Sequence, residues 1–156
     1  PMKFHVDRGL GSLAKWLRFL GFDVVQTNIT SQELDALPPR RDTFLVTRQS
    51  SIAQKRHRPD LILLATDQPE EQLTEICRRL DSPPDTWEPL KRCSTCNQVL
   101  QPITADQVEG RVPDFIRHKH QLFFECPQCL RVFWEGSHQR RIKRRLKELQ
   151  DHILTQ

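Results

Sequence analysis

No stretch of this 156-residue chain is apolar for the roughly 20 residues that a membrane-spanning helix needs. No segment has the apolar core of a secretory signal either. A soluble, cytoplasmic protein without a membrane partner is therefore expected. Internal repeats and low-complexity tracts are missing too, which sets aside repeat architectures. Only 37% of the residues are hydrophobic. That is adequate for one ordinary domain, or for a small domain joined to a module held together by a metal, but it is not generous.

Five cysteines are present, and four of them form two Cys-x-x-Cys pairs: Cys93 with Cys96, and Cys126 with Cys129. Each pair is short enough for both thiolates to grip one ion from a single turn. Four thiolates close a tetrahedral Zn²⁺ site and leave no open position, so a structural Zn²⁺ is expected, holding the fold and doing no chemistry. Two disulfides would suit a secreted domain, against which the abundant Lys and Arg and the missing signal core argue. Redox catalysis fits poorly, because there are two pairs and neither opens a helix after a strand. His118 and His120 flank Lys119 in a basic loop, and four thiols suffice without them. Cys77 shares a helical face with Leu73 and Leu80 and reads as a reduced core thiol.

The net charge of +4 is unevenly spread. Residues 1–90 carry 12 Lys and Arg against 13 Asp and Glu, whereas residues 91–156 carry 12 against 7. The basic excess belongs to the cysteine-bearing half, and a polyanion such as RNA is the partner it suggests. Arg140, Arg141, Lys143, Arg144 and Arg145 are the candidate phosphate contacts. A basic helix that is merely solvated is the plain alternative.

Along the chain, Lys3 to Asp7 reads as a strand. Leu10, Leu13, Ala14, Leu17 and Leu20 then recur at helical spacing, with Ser12, Lys15 and Arg18 off that face. Gly21 suits the helix C-terminus. Phe22 to Val25 reads as a strand, and Thr30 or Ser31 caps a short helix stopped by Pro38-Pro39. Thr43 to Thr47 and Leu61 to Ala65 read as buried strands. A helix follows with Asp67 as capping acid and Pro69, Glu70 and Glu71 in its first turn. Strands alternating with helices predict a parallel sheet with right-handed crossovers. Ser82-Pro83-Pro84-Asp85 reads as a linker. The thiol pairs, each flanked by short strands, read as a zinc ribbon. Ile142, Leu146, Leu149 and Ile153 form the narrow apolar stripe of a basic C-terminal helix. The resulting division is an α/β domain over 1–88, a zinc ribbon over 89–137 and a helix over 138–156.

Ligands of open parallel sheets bind at the carboxyl ends of the strands. Asp7 ends the first strand and Asp67 follows the last, with Glu33 and Asp35 on the short second helix. Converging there, Asp7, Glu33 and Asp67 would offer hard oxygens to Mg²⁺ or Mn²⁺ for work on phosphate. The alternatives are a helix cap for Asp67, a turn acid paired with Arg8 or Lys15 for Asp7, and solvated acids for Glu33 and Asp35.

The run from Phe4 to Asp23 (FHVDRGLGSLAKWLRFLGFD) resembles the opening of the Mut-seven C-terminal ribonuclease domain family, a PIN-like group. Leu45-Val46-Thr47-Arg48, Asp67 to Leu73, the four cysteines and Val132 to His138 resemble further motifs of that family, in order. The resemblance spans nearly the whole chain. It implies a PIN-like parallel sheet flanked by helices, followed by a zinc ribbon, with metal-dependent hydrolysis of RNA centred on Asp7, while the basic C-terminal helix is read from the residues alone. It also implies an acid directly after Thr47-Arg48, where this chain has Gln49, and acids where it has Thr30, Ser31 and Gln32. The expected function is a metal-dependent ribonuclease with an eroded acidic site. The rivals are an inactive module binding RNA or a ribonucleoprotein, in which Trp134 or Phe133 stacks bases, and a protein adaptor docking through the ribbon and last helix.

Overall fold

The computed structural model describes residues 2–54, 58–80 and 86–154. The linker expected at Ser82 to Asp85 lies outside them. In chain order the elements are β1 (Lys3–Asp7), α1 (Gly11–Phe19), β2 (Asp23–Thr27), α2 (Ser31–Ala36), β3 (Thr43–Thr47), α3 (Ser50–Gln54) and β4 (Leu61–Leu63). They continue with α4 (Pro69–Arg79), β5 (Gln101–Ile103), α5 (Asp114–Lys119), β6 (Phe123–Glu125), β7 (Val132–Phe133) and α6 (Ser137–Leu154).

The first four strands form a parallel sheet in the order β2-β1-β3-β4. Alternation along β1 sends Phe4 and Val6 to one face, where they pack with Leu13, Leu17, Val24, Val46, Ile62 and Leu73. Ile142 and Leu146 of α6 join this same core. The opposite face buries Leu45 and Leu61 under Ile29, Leu34 and Ile52. Helices thus cover both faces, as the alternating strands and helices predict.

Gly21 ends the first helix with φ of +101°, a conformation that L side chains rarely adopt. A Cβ at this position would lie 2.5 Å from the carbonyl oxygen of Glu88. The 88–90 segment can therefore lie along the end of α1, with Glu88 N–H donating to Leu20 O and Leu90 N–H to Phe19 O.

Three local expectations change, and one short helix is new. Asp67 is not the helix cap. Gln68 occupies that position without a side-chain cap bond, and its N–H donates to Thr66 Oγ1 (3.1 Å). Arg18 is buried although it lies off the apolar face, because residues of the first thiol turn cover it. His118 and Lys119 belong to the short helix α5 and not to a loop. Helix α3 adds a turn directly after β3. The first two departures share a cause: partners distant in sequence, or a neighbouring hydroxyl, outcompete the assignment that local pattern favours.

The second sheet, β5-β6-β7, is antiparallel and small. It sits against the cysteines, a layout compatible with a zinc ribbon. Among the described residues no helix is long and apolar enough to cross a membrane.

Candidate functional site

The strand order reverses direction at β1, with β2 on one side and β3 on the other. A crevice forms at such a switch point, beyond the carboxyl ends of the two strands. Asp7 closes β1 there. Its Oδ2 accepts from Thr47 Oγ1 at the end of β3 (2.8 Å) and from Gln49 Nε2 (2.6 Å). Its Oδ1 lies 3.5 Å from the N–H of Ile29. Gln49 is held by a second bond, Nε2 to Ile29 O (3.0 Å), and its own N–H donates to Thr47 Oγ1 (3.1 Å). Thr47 is fully buried, so its hydroxyl is fixed beside Asp7 at the end of the sheet.

Glu33 reaches the same rim by a different route. Thr27 pairs with Asp7 across the β1–β2 ladder, and Thr27 Oγ1 donates to Glu33 Oε2 (3.0 Å). The Thr30 hydroxyl accepts from Glu33 N–H (3.2 Å), which fixes the start of α2 and hence where Glu33 points. Asp67 follows β4, is exposed, and accepts from Gln68 Nε2 (3.0 Å). Asp35 is exposed on α2. Among the described residues, Asp7, Glu33 and Asp67 do not fall within any group of three ligating side chains that could surround one ion. Thr27, the β2 neighbour of Asp7, holds Glu33 beside it, whereas among the described residues Asp67 is bonded to neither.

Among the described residues the one such group is the thiol cluster. Cys93, Cys96, Cys126 and Cys129 bring their Sγ atoms within 4.8 Å of one another. Cys93 Sγ and Cys129 Sγ stand 3.7 Å apart. A disulfide would bring two sulfurs to about 2 Å. Thiolates bound tetrahedrally about 2.3 Å from one Zn²⁺ sit roughly 3.8 Å apart. The cluster thus has the geometry and donor type of a possible metal site, consistent with structural zinc.

The two turns that present the thiols are built alike. Asn97 and Leu130, each directly after the second cysteine of its pair, adopt φ of 64° and 65°. Asn97 N–H closes on Cys93 O and Leu130 N–H on Cys126 O, both at 2.9 Å. Cys96 and Cys129 N–H groups point at Cys93 Sγ (3.3 Å) and Cys126 Sγ (3.4 Å). A hydrogen bond from the backbone of Arg131 holds the Cys129 thiol down at about 6. Desolvation, reinforced by the neighbouring thiols, pushes Cys96 up to about 12.

The first turn is bolted to the parallel sheet. Arg18 donates from Nε and Nη2 to Val24 O on β2 (3.2 and 2.9 Å). Its Nη1 donates to Ser94 O (3.0 Å) and Thr95 O (3.3 Å), between the first two cysteines. Asn97 completes the joint: Nδ2 donates to Asp23 Oδ1 (2.7 Å) and Oδ1 accepts from Val24 N–H (3.0 Å). Burial lowers the Arg18 pKa from its usual value, and the thiols of Cys93 and Cys96 oppose that shift.

The basic residues of α6 divide into two sets. Arg141 and Arg145 both pair with Glu70 of α4 (3.3 and 2.7 Å), and Lys143 pairs with Glu135 (2.9 Å). Arg140 and Arg144 are exposed and form no ion pair among the described residues. Phe133 packs on the thiol cluster, and Trp134 packs beside Phe123, in the ribbon's own small cores.

Sequence reasoning overlooked Thr27, Thr47, Arg18 and Asn97. The signal for Asn97 was present, since a residue that tolerates a left-handed backbone stands directly after Cys96. Arg18 gave none, because its partners lie 76 and 77 residues away.

A model of the Mut7-C RNAse domain matches residues 2–146 of the chain. No curated protein and no solved structure is significantly similar to it.

Proposed function

Because the chain belongs to the Mut7-C RNAse domain family, we propose that it is a divalent-metal-dependent ribonuclease whose centre lies where β1 and β3 end. The family implies an interaction with RNA. The observation that carries the reading is Asp7 at the sheet's switch point, flanked by Thr47 and Gln49 on β3's side and tied through Thr27 to Glu33 on the other.

The donor set suits a hard ion in type: two carboxylates, two hydroxyls and an amide, all oxygen-bearing. Mg²⁺ or Mn²⁺, when bound, would polarise the phosphodiester and lower the pKa of a water. Asp7 and Glu33 would hold it, with Gln49 as a neutral third ligand through Oε1 after its amide turns over. The residues of the chain contribute position. Thr47 fixes one Asp7 oxygen, and Thr27 and Thr30 fix Glu33, so both carboxylates are oriented before any ligand arrives. Asp67 stands on the next strand exit, where it would meet the RNA or a bound water rather than share the ion with Asp7. The four thiolates take structural zinc, which holds the ribbon against β2 through Arg18 and Asn97.

A second reading, an inactive RNA-binding module, draws on the 2.6 Å bond from Gln49 Nε2 to Asp7 Oδ2. An amide N–H there occupies the oxygen an ion would use and supplies no charge to hold it. Incubation of zinc-loaded protein with single-stranded RNA and Mn²⁺ separates the two. The nuclease reading expects cleavage that Asp7→Asn abolishes. Cleavage unaltered by Asp7→Asn, or none with the native chain, rejects it. In the second of those cases, cleavage restored in Gln49→Asp would assign the loss to the amide.

A further inference from the structure

Two cavities meet at Trp87, at the end of the sheet away from Asp7. The larger, of 640 Å³, opens where β1, β2 and β3 begin, and Lys3, Arg40, Arg41 and Arg92 line it. Its three carboxylates keep their charge and are outnumbered by five cations, Lys91 included. Asp23 accepts from Asn97 (2.7 Å), Asp42 from Thr43 Oγ1 (3.3 Å), and Glu88 pairs with Lys91 (3.1 Å). The smaller, of 350 Å³, lies against α6 and is lined by Lys143, Arg144 and Lys147 with no acid.

Leu20 and Trp87 belong to both walls, so the cavities adjoin at the indole and are taken together as one trough. Trp87 is half-buried, its ring edge-on to Phe22 at 5.3 Å and 70°. Among the described residues none of Lys3, Arg40, Arg41, Arg92, Arg144 and Lys147 has a carboxylate within ion-pair distance. Arg92 is nonetheless fixed in place, donating to Gly21 O (3.3 Å) and Asn97 O (3.0 Å). A concave basic surface divided by an aromatic ring is the arrangement that tracks a flexible phosphate backbone while offering a base a face to stack on.

We infer that this trough is a second nucleic-acid site, which takes the backbone of single-stranded RNA and seats a base against Trp87. The inference rests on the RNA-directed reading above and adds a location to it. β1 rises about 3.3 Å per residue, so Lys3 and Asp7 stand about 13 Å apart. RNA gripped in the trough is therefore anchored at a different segment from the one presented at Asp7. Arg144 contacts the strand here, whereas Arg141 and Arg145 stay with Glu70.

The test is fluorescence anisotropy of a labelled oligouridylate with the full zinc-loaded chain, without added Mg²⁺ or Mn²⁺, over a series of KCl concentrations. Arg40→Gln/Arg41→Gln is expected to weaken binding and to flatten the salt slope by about 1.4, at about 0.7 per phosphate contact on a single strand. Lys119→Gln/Arg131→Gln removes the same charge from the exposed ribbon surface and should leave the slope as it was. Quenching of intrinsic fluorescence by the RNA should shrink in Trp87→Phe. If the native chain binds and the Arg40/Arg41 variant matches it, or the ribbon variant loses as much, the trough is overturned and the RNA reading stands. If the native chain binds no RNA at low salt, both fall together.

Discussion

Gly21, Arg18 and Arg58 show how single side chains set the architecture. Gly21→Ala would force a Cβ against Glu88 O in a left-handed backbone, and an outlay of at least about 2 kcal/mol is expected. Thermal or urea unfolding would measure it. Arg18 satisfies three backbone carbonyls at once, two of them between Cys93 and Cys96. Arg18→Leu leaves those acceptors without donors in a buried joint, and a loss of about 3 kcal/mol follows. Arg58 makes a bidentate pair with buried Asp60 (3.0 and 2.8 Å) and donates to Leu34 O. Removing Arg58 alone strands the Asp60 charge, for about 3 to 5 kcal/mol. Gly21 was legible in the sequence, because a glycine directly after an amphipathic helix has one common use. Arg18 was not: helical periodicity reports which face a helix buries on its own sheet and is silent about a cover supplied from residues 94 and 95.

At the level of elements, α6 illustrates which contacts carry weight. Ile142 and Leu146 are buried in the main core, so Ile142→Ala is expected to cost about 2 to 5 kcal/mol. The bridges from Glu70 to Arg141 and Arg145 are largely exposed on the arginine side (65% and 68%). Glu70→Gln should change stability by less than about 1 kcal/mol, and less still at high salt. Comparing the two variants by denaturant unfolding separates packing from surface charge. Ile142 and Leu146 of the apolar stripe follow from spacing, and the parallel sense of β1 to β4 from the alternation of strands and helices, while the side chains of Leu149 and Ile153 lie outside the described residues. Helix α5 does not: Asp114–Lys119 is short, has no buried residue and no side-chain cap, so neither periodicity nor a cap marks it. Of the candidate site, Asp7 could be placed from its position at a strand end. The bonds from Thr47 and Gln49 could not, because they depend on β3 lying beside β1 and on the tight turn into α3.

For the molecule as a whole, the thiol cluster stands where the first thiol turn meets the parallel sheet and the second meets the small one, so removing a bound ion is expected to be felt by the fold. A chelator that strips zinc should lower the midpoint of thermal unfolding and disorder the ribbon first, as hydrogen exchange would report. Protons compete with the metal, and the direction follows from the thiols. Cys96, pushed up to about 12, holds its proton at pH 7 in the metal-free chain and must release it on binding. Cys129, held down at about 6, is a thiolate above that pH and takes up a proton as pH falls through it. Zinc affinity should therefore decline with acid and more steeply below about pH 6, with protons released at pH 7. Calorimetry in buffers of differing ionisation enthalpy would measure the release. A pH-independent affinity would contradict the four-thiolate assignment.

The centre at Asp7 bears the functional account, and binding of Mn²⁺ to the zinc-loaded chain, followed by electron paramagnetic resonance, examines it without relying on any RNA substrate. One Mn²⁺ per chain is predicted, lost in Asp7→Asn and bound more tightly in Gln49→Asp, where a charge replaces the amide. Failure of the native chain to bind Mn²⁺, or retention of the ion in Asp7→Asn, would contradict it.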